Sequence, residues 1–224
     1  MRGPTLALVV VAAGSSRRMS GVDKLWERLG GGPLILYALS RLIPHANRTV
    51  LVVRAQDIPR ARQITSDIRS LDVVAGGRER HESVANGIAA IPSGFDLIAI
   101  HDAARPFADA ALLADGVEAL AGCEGAIPGV PVADTIKRVD ASGRIEETVN
   151  REYLRAVQTP QVFRASALRD SHARSVGPAT DDAVLLERCG YRVRVFPGSP
   201  ANFKITTVHD LEVARLLVGC GRST

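Results

Sequence analysis

Short apolar runs alternate with amphipathic segments along most of this chain, and this alternation constrains the fold more than any other feature. Strand-length runs lie at 6–13, 49–53, 71–75 and 97–100, apolar in the first and last and rich in β-branched residues at 49–53, and a segment with helical spacing follows each of them. A β-α unit repeated four times predicts a largely parallel sheet with helices on both faces, which is an α/β fold. Ligands on such sheets bind beyond the carboxyl ends of the strands. The predicted helices are 33–43, 58–68, 83–91 and 108–120, and 126–130 is extended.

A different pattern interrupts the alternation between Pro131 and Arg151. The segments 134–139 and 144–149 each alternate in polarity, and a turn sequence at 140–143 separates them. This pattern predicts a β-hairpin arm. Because an isolated two-stranded hairpin is marginally stable, we expect the arm to pack against a partner subunit or against the body of its own chain.

The remainder of the chain returns to mixed α/β structure. We expect a strand at 156–163, helices at 166–173 and 181–189, a strand at 191–196 and a closing helix at 208–217. With 224 residues, the chain is expected to form one domain over 1–224, with the arm at about 131–153.

Composition narrows the class of partner. The net charge of +4 is modest and only 4% of residues are aromatic, so the chain lacks the stacking platforms of a nucleic-acid groove, and a small anionic substrate fits better. Cys123, Cys189 and Cys220 are odd in number and form no C-x-x-C motif, which is typical of reduced thiols in the cytoplasm and offers no zinc site. No apolar run approaches the ~20 residues needed to cross a bilayer, so we expect a soluble protein without a membrane partner.

Three small residues, Gly14, Ser15 and Ser16, end the first apolar run, and Arg18 and Lys24 follow closely. Small residues let backbone amides approach a ligand, and guanidinium and ammonium groups strengthen the binding of a polyphosphate. The stretch therefore predicts a nucleotide phosphate loop. It matches neither the P-loop motif nor the dinucleotide fingerprint. A secretory signal peptide and a surface turn with solvated arginines are alternative interpretations of the same residues.

Two further loops are predicted at the same edge of the sheet. Asp102 follows the strand at 97–100 and, beside Arg18 and Lys24, would be ionised and able to hold Mg²⁺ next to a triphosphate; the alternative is a carboxylate that caps the next turn. We assign His101 to packing. In the other loop, Gly76 and Gly77 would let the backbone contact a base edge and Ser83 would add a hydroxyl, whereas the alternative is a plain glycine turn with Ser83 as the helix N-cap.

Eight short motifs occur in order along the chain: AAGSSRRM with Lys24, GGRERHES, HDAARP, DTIKR, Asn150-Arg151, QTPQ, TDDA and FKIT. Together they resemble the 2-C-methyl-D-erythritol 4-phosphate cytidylyltransferase family of the non-mevalonate isoprenoid pathway, over essentially the whole chain. The resemblance implies a Rossmann-like nucleotidyltransferase fold and a homodimer whose subunits embrace through the β-arm.

The resemblance also implies a reaction and roles for residues. The phosphate of methylerythritol phosphate attacks the α-phosphorus of CTP, which gives the CDP-alcohol and pyrophosphate. Arg18 and Lys24 would stabilise charge on the α-phosphate, Arg151 and Lys204 would position the attacking phosphate, and Asp102 would organise Mg²⁺ or another divalent cation. The implied substrate-binding residues are Ala12, Ala13, Gly14, Ser15, Ser16, Gly76, Gly77, Ser83, Asp102, Arg105, Thr135 and Thr159.

Some features depart from the family pattern. Val11 replaces a frequent proline, Asp23 and Leu25 flank Lys24 with uncommon residues, and Arg78 stands where an acidic residue is frequent. No cyclodiphosphate synthase domain follows Thr224, so we expect the monofunctional form. The rival functions are a cytidylyltransferase for another polyol phosphate such as ribitol 5-phosphate, a nucleotidyltransferase for another base, and a non-catalytic nucleotide-binding subunit.

Overall fold

The computed structural model describes residues 3–14, 23–174, 177 and 179–220. Its strands are β1 (Leu6–Val11), β2 (Arg28–Leu29), β3 (Gly32–Pro33), β4 (Arg48–Val53), β5 (Leu71–Ala75), β6 (Leu97–Asp102), β7 (Gly125–Pro131), β8 (Ile136–Val139), β9 (Ile145–Val149), β10 (Arg155–Val157), β11 (Gln161–Arg164) and β12 (Val193–Pro197). Its α-helices are α1 (Leu34–Leu42), α2 (Ile58–Ile64), α3 (Arg80–Ala89), α4 (Ala110–Glu118), α5 (Ala165–Arg174), α6 (Ala183–Arg188) and α7 (Val208–Cys220). Short 3₁₀ turns lie at Lys24–Trp26, Ile43–His45 and Ala55–Asp57.

An eight-stranded mixed sheet forms the centre of the fold, with the order β10-β7-β11-β6-β1-β4-β5 and β12 also pairing with β7. The pairs β6-β1, β1-β4, β4-β5 and β12-β7 are parallel, whereas β11 runs antiparallel to β6 and β7. The predicted mostly parallel α/β sheet is therefore confirmed. The carboxyl ends of β1, β4, β5 and β6 lie at one edge, because these strands all run in the same direction.

Helices cover both faces of the sheet, as the alternation predicts. In β1 the side chains of Leu6, Leu8 and Val10 pack into a core with α1, α2, α4 and α7, whereas Ala7 and Val9 face α3, α5 and α6. This division follows from the two-residue period of a strand. A strand that is buried on both faces reads as an uninterrupted apolar run, which explains the first apolar run of the sequence.

Helix α3 lies very close to the sheet, and one glycine makes this possible. A Cβ atom at Gly87 would come within 2.5 Å of Val9 Cγ1 and 2.9 Å of Val52 Cγ2. This close contact fixes α3 against β1 and β4. As a result, the N-terminus of the helix is held at the carboxyl edge of the sheet.

The predicted single strand at 156–163 is wrong in one respect. Residues 158–160 separate two strands, β10 and β11, which both run antiparallel to β7 along the edge opposite β12. Gln158 and Thr159 in this interruption are buried, and the Gln158 N–H still donates to the carbonyl of Pro128 at 2.7 Å. Pro160 also lies in the interruption, and it has no N–H to donate to a ladder.

Other boundaries differ by a few residues. Strand β6 continues to Asp102 rather than ending at Ile100, helix α3 begins at Arg80 rather than Ser83, and α2 ends at Ile64. The early start of α3 has a local cause, because Glu79 and Glu82 form a reciprocal capping box at its N-terminus.

The predicted hairpin arm is confirmed as β8 paired antiparallel with β9. Asp140 closes the turn, since its Oδ1 accepts hydrogen bonds from the backbone N–H groups of Ser142 and Arg144. Val139 and Ile145 expose 49% and 58% of their surface, so the arm presents apolar side chains to solvent within one chain. Among the described helices, none is both long and apolar enough to span a membrane.

Candidate active site

A cavity of about 500 Å³ opens at the carboxyl edge of the sheet, between the ends of β1 and β6 and the N-terminus of α3. This is the edge at which parallel α/β sheets bind ligands. Its lining combines small residues, three cationic side chains besides Lys24, and two carboxylates. The residues that line it are Val11, Ala12, Ala13, Gly14, Lys24, Leu25, Gly77, Arg78, Glu79, Arg80, Ser83, Asp102, Ala104, Lys204 and Thr206.

The first predicted loop contributes the wall formed by Ala12, Ala13 and Gly14. Ala12 continues the line of β1, because its N–H donates to the carbonyl of Val52 at 2.7 Å. The predictions for Ser15, Ser16 and Arg18 fall outside the described residues. For Ala12, Ala13 and Gly14 the predicted location is therefore observed, and their contacts with a nucleotide stay predictions.

The glycine turn after β5 touches the first loop directly. A Cβ atom at Gly76 would lie 2.4 Å from Ala13 Cβ, so only a glycine fits there without displacing the β1 loop. Ser83 Oγ accepts a hydrogen bond from the Gly77 N–H at 3.1 Å and donates to the carbonyl of Glu79 at 3.1 Å. The interpretation of Ser83 as the N-cap is wrong, since Glu79 occupies that position.

Arg78 also lines the cavity, where the family pattern favours an acidic residue. Its backbone N–H donates to Glu82 Oε2 at 2.6 Å, so the capping box orders this residue too. The side chain of Arg78 is exposed at the cavity wall. The departure therefore adds a positive charge to the site.

Lys24 begins the short 3₁₀ turn that follows the first loop. Its Nζ donates to the backbone carbonyl of Ile205 at 2.7 Å. Because Ile205 lies 181 residues away in the sequence, this contact joins the first loop to the loop before α7. The predicted position of Lys24 at the site is observed.

Asp102 lies at the end of β6 and binds two cationic side chains. Its Oδ2 accepts from Lys204 Nζ at 2.5 Å, and its Oδ1 lies 3.3 Å from both Nε and Nη2 of Arg80. Burial acts to raise the pKa of Asp102, but Arg80 and Lys204 outweigh it and hold that pKa well below its usual range. The carboxylate is therefore ionised as predicted, although its observed neighbours are Arg80 and Lys204 rather than Arg18 and Lys24.

Sequence reasoning missed the role of Arg80, which connects two carboxylates. Its Nη1 donates to Asp182 Oδ2 at 2.8 Å, and His172 Nε2 lies 3.2 Å from the other oxygen of Asp182. Burial lowers the pKa of Arg80, but Asp182 and Asp102 raise it above its ordinary value, so the guanidinium stays charged. The only sequence signals were the quoted motifs GGRERHES and TDDA, and neither shows which charges pair.

The assignment of His101 to packing is confirmed. The ring is fully buried, with Nδ1 3.1 Å from the Thr159 hydroxyl and Nε2 3.1 Å from the carbonyl of Arg105. Since a carbonyl can only accept, Nε2 carries the proton and Nδ1 accepts from Thr159. Burial lowers the pKa of His101 to about 4, so the ring is neutral at pH 7.

Thr159 and Arg105 lie behind the cavity rather than in its wall. The Thr159 hydroxyl accepts from the Asp102 N–H at 3.0 Å, which holds the end of β6. The guanidinium of Arg105 donates to the carbonyls of Asn202 at 2.8 Å and Val157 at 3.3 Å. Both residues brace the loops of the site in this chain, and their predicted contacts with methylerythritol phosphate stay predictions.

The arm residues Thr135 and Arg151 are exposed, and neither lines the cavity of its own chain. Thr135 precedes β8, and Arg151 follows β9 with its guanidinium donating to the carbonyl of Ala133. The chain thus brings Lys24, Asp102 and Lys204 together and leaves the two arm residues outside that group.

The donor set is compatible with one magnesium ion. Mg²⁺ is commonly held by one or two carboxylates together with substrate phosphates and water. Asp102 is an ionised carboxylate in the cavity wall and satisfies this requirement. Within the ranges that the structure covers, no group of three or more acidic, histidine or cysteine side chains forms a metal cage.

Comparisons with known proteins show the family to which this chain is similar. Residues 6–219 match the family model described as 2-C-methyl-D-erythritol 4-phosphate cytidylyltransferase. Proteins of that name from Dehalococcoides mccartyi and Rhodococcus jostii are 40% and 42% identical, over 96% and 97% of this chain and 96% of each relative.

Solved structures of proteins with the same or an equivalent name share the fold of this chain. The fold resembles that of 4-diphosphocytidyl-2C-methyl-D-erythritol synthase from Anaerococcus prevotii, with a TM-score of 0.85, 26% identity and coverage of 97% of this chain and 100% of the other. It also resembles 2-C-methyl-D-erythritol 4-phosphate cytidylyltransferase from Thermus thermophilus, with a TM-score of 0.79, 30% identity and coverage of 94% and 98%. This chain belongs to the 2-C-methyl-D-erythritol 4-phosphate cytidylyltransferase family.

Proposed function

We propose that this protein transfers a cytidylyl group from CTP to 2-C-methyl-D-erythritol 4-phosphate, giving 4-diphosphocytidyl-2-C-methyl-D-erythritol and pyrophosphate. Full-length relatives carry the name of this activity. The observation that carries the proposal is the cavity itself, where Lys24 and Lys204 stand beside Asp102 and the glycine turn at the carboxyl edge of the sheet. A cavity wall with cationic side chains at this edge of the sheet suits a substrate with several phosphates.

The residues of the site favour direct attack by the substrate phosphate on the α-phosphorus. The attacking phosphate is already anionic, so it needs no general base, and catalysis depends on alignment and charge stabilisation. Among the residues that the structure describes, two hydroxyl side chains line the cavity, and both are engaged within the protein. Ser83 Oγ donates to the carbonyl of Glu79, and Thr206 Oγ1 donates to Asp210 Oδ2 at 2.9 Å. Neither hydroxyl is adjacent to a histidine that would activate it.

In this mechanism Lys24 stabilises negative charge on the α-phosphate, and Lys204 orients the attacking phosphate. Asp102 would hold Mg²⁺, which neutralises charge on the phosphates of CTP when it is bound. Asp102 also holds Lys204 at the cavity wall, since their side chains form an ion pair at 2.5 Å.

Substrate choice tests this proposal. Pyrophosphate release with methylerythritol phosphate should be at least roughly 10-fold faster with CTP than with UTP, and slower still with ATP or GTP, because a small pocket rejects purines by size. Ribitol 5-phosphate in place of methylerythritol phosphate should give little product. Preference for a purine nucleotide or for ribitol 5-phosphate would overturn the proposal, and no release with any pair would mean a binding protein.

We further propose that two copies of the chain form a dimer and that the arm of each reaches the cavity of the other. The exposed apolar residues of the arm, Val139 and Ile145, support burial against a partner. The exposed positions of Thr135 and Arg151, outside the cavity of their own chain, support a site completed by the second subunit.

Subunit mixing tests the shared site. Lys24→Ala and Arg151→Ala subunits are each expected to be inactive, but after exchange a heterodimer would contain one site made of unaltered parts. A 1:1 mixture should then recover up to about a quarter of wild-type activity, since half of the dimers are mixed and each has one such site. As a control, mixtures of Lys24→Ala with Asp102→Asn should recover none. A monomer by sedimentation, or exchanged mixtures that stay inactive, would contradict the shared site.

A further inference from the structure

Arg80 joins the active-site carboxylate to a second, buried carboxylate on another element. One edge of its guanidinium, Nε and Nη2, faces Oδ1 of Asp102 at the end of β6. The other nitrogen, Nη1, donates to Oδ2 of Asp182 just before α6, 102 residues further along the chain. The guanidinium suits this role, because its separate nitrogens lie in one rigid plane and reach the two carboxylates from fixed positions.

Asp182 holds Arg80 firmly because this buried carboxylate cannot replace a lost bond to Arg80 with a bond to water. The side chain of Asp182 is 1% exposed, and an isolated carboxylate at such a position carries a large desolvation cost. Its oxygens are satisfied by Arg80 Nη1 on one side and His172 Nε2 on the other. Any rotation of Arg80 toward the cavity would break the first of these bonds, so the guanidinium is fixed from behind.

A fixed Arg80 determines how Asp102 is oriented. With Oδ1 held by Arg80, Oδ2 faces Lys204 Nζ at 2.5 Å. The result is a row of alternating charges, Lys204, Asp102, Arg80 and Asp182, that begins in the cavity wall and ends in the protein interior. Lys204 is the most exposed member of this row, since 38% of its side chain is exposed against 24% for Arg80 and 1% for Asp182.

We propose that Arg80 is a positioning residue for the cytidylyl transfer: tethered by Asp182, it orients Asp102 and thereby directs Lys204 at the attacking phosphate. The inference rests on the proposed function and adds to it one residue, Arg80, which acts through Asp102 and Lys204. A displacement of about 1 Å at reacting groups costs up to roughly 100-fold in rate, so loss of this tether should be visible in kcat.

Arg169 provides a matched comparison. It is also a partly buried arginine whose guanidinium is bonded inside the fold, since its two terminal nitrogens donate to the carbonyls of Ile88, Ile91 and Pro92. It does not line the cavity. If Arg80 served the fold alone, Arg80→Lys and Arg169→Lys would have similar consequences.

The experiment compares kcat, the KM for CTP and the thermal midpoint Tm of four purified proteins: wild type, Arg80→Lys, Asp182→Asn and Arg169→Lys. Lysine keeps the charge near Asp182 but cannot bond both carboxylates. We expect kcat of Arg80→Lys to fall by roughly 10-fold or more, with the KM for CTP within about 3-fold of wild type. Asp182→Asn should lower kcat by roughly 3-fold or more, with the KM for CTP again within about 3-fold of wild type. Arg169→Lys should change neither kcat nor the KM for CTP.

The outcomes separate this inference from the proposed function. If the wild type releases no pyrophosphate, the proposed function fails. If the wild type is active and Arg80→Lys keeps its kcat within 2-fold, the positioning role fails alone. A rise in the KM for CTP at unchanged kcat would mean that Arg80 binds the nucleotide directly and would also overturn it. Should Arg80→Lys not fold, Asp182→Asn decides, because an unchanged kcat in that variant would refute the tether.

Discussion

Replacement of Asp102 by asparagine is expected to lower kcat by roughly 100-fold to 1,000-fold, the largest effect of any single change considered in this protein. Asparagine keeps the shape of the side chain but removes its negative charge. Lys204 loses the ion pair that directs it into the cavity, and Arg80 keeps only Asp182 as a charged partner. The same change removes the carboxylate that fits Mg²⁺, so the Mg²⁺ concentration for half-maximal rate should rise.

Initial rates over a range of Mg²⁺ concentrations would measure both effects. Asp72→Asn is the matched control, since Asp72 also pairs with an arginine, Arg48, but lies on the edge strand β5 outside the cavity. Its kinetic parameters should equal those of the wild type. A kcat for Asp102→Asn within about 3-fold of the wild-type value would show that this carboxylate has no part in the reaction.

Replacement of Lys24 by alanine is expected to lower kcat by roughly 100-fold, with a smaller change in the KM for CTP. The hydrogen bond from its Nζ to the carbonyl of Ile205 holds the ammonium group in the cavity wall before substrate arrives. A charge held in place in this way needs little reorganisation during the reaction, which is why its removal should affect the transition state more than the bound substrate.

Steady-state kinetics with purified protein would measure this effect, together with Arg62→Ala as a control. Arg62 is an exposed cation on α2 outside the cavity, so its loss changes the net charge by the same amount without altering the site. Near-normal turnover by Lys24→Ala would remove this residue from the chemistry. An increase confined to the KM for CTP would assign it to binding alone.

Much of the fold could be predicted because local patterns determine it. The apolar runs in β1, β4 and β6 are uninterrupted since both faces of the sheet are covered there. The arm alternates in polarity, and nearly all of its residues are exposed in a single chain. The division between β10 and β11 was not predicted, because the apolar pattern of 156–163 is that of one extended segment. The interruption lies at 158–160, where Pro160 lacks the N–H that a ladder needs.

The site was predictable to the extent that its residues lie at strand ends. The first loop follows β1, the glycine turn follows β5, and Asp102 is the last residue of β6. Because these three strands are parallel, the topology alone brings Gly14, Gly77 and Asp102 to one edge. The interior support was not predictable. Arg80 pairs with carboxylates 22 and 102 residues away, and only the tertiary fold brings the start of α3, the end of β6 and the start of α6 together.

The central claim is that the cavity promotes a single direct attack of the substrate phosphate on the α-phosphorus of CTP. The stereochemical course of the reaction tests it most directly. CTP in which sulfur replaces one non-bridging oxygen has a chiral α-phosphorus, and ³¹P NMR of the product reports its configuration. One in-line displacement inverts the configuration at phosphorus, and this account predicts inversion. Retention would require two displacements through a covalent enzyme intermediate and would contradict the account.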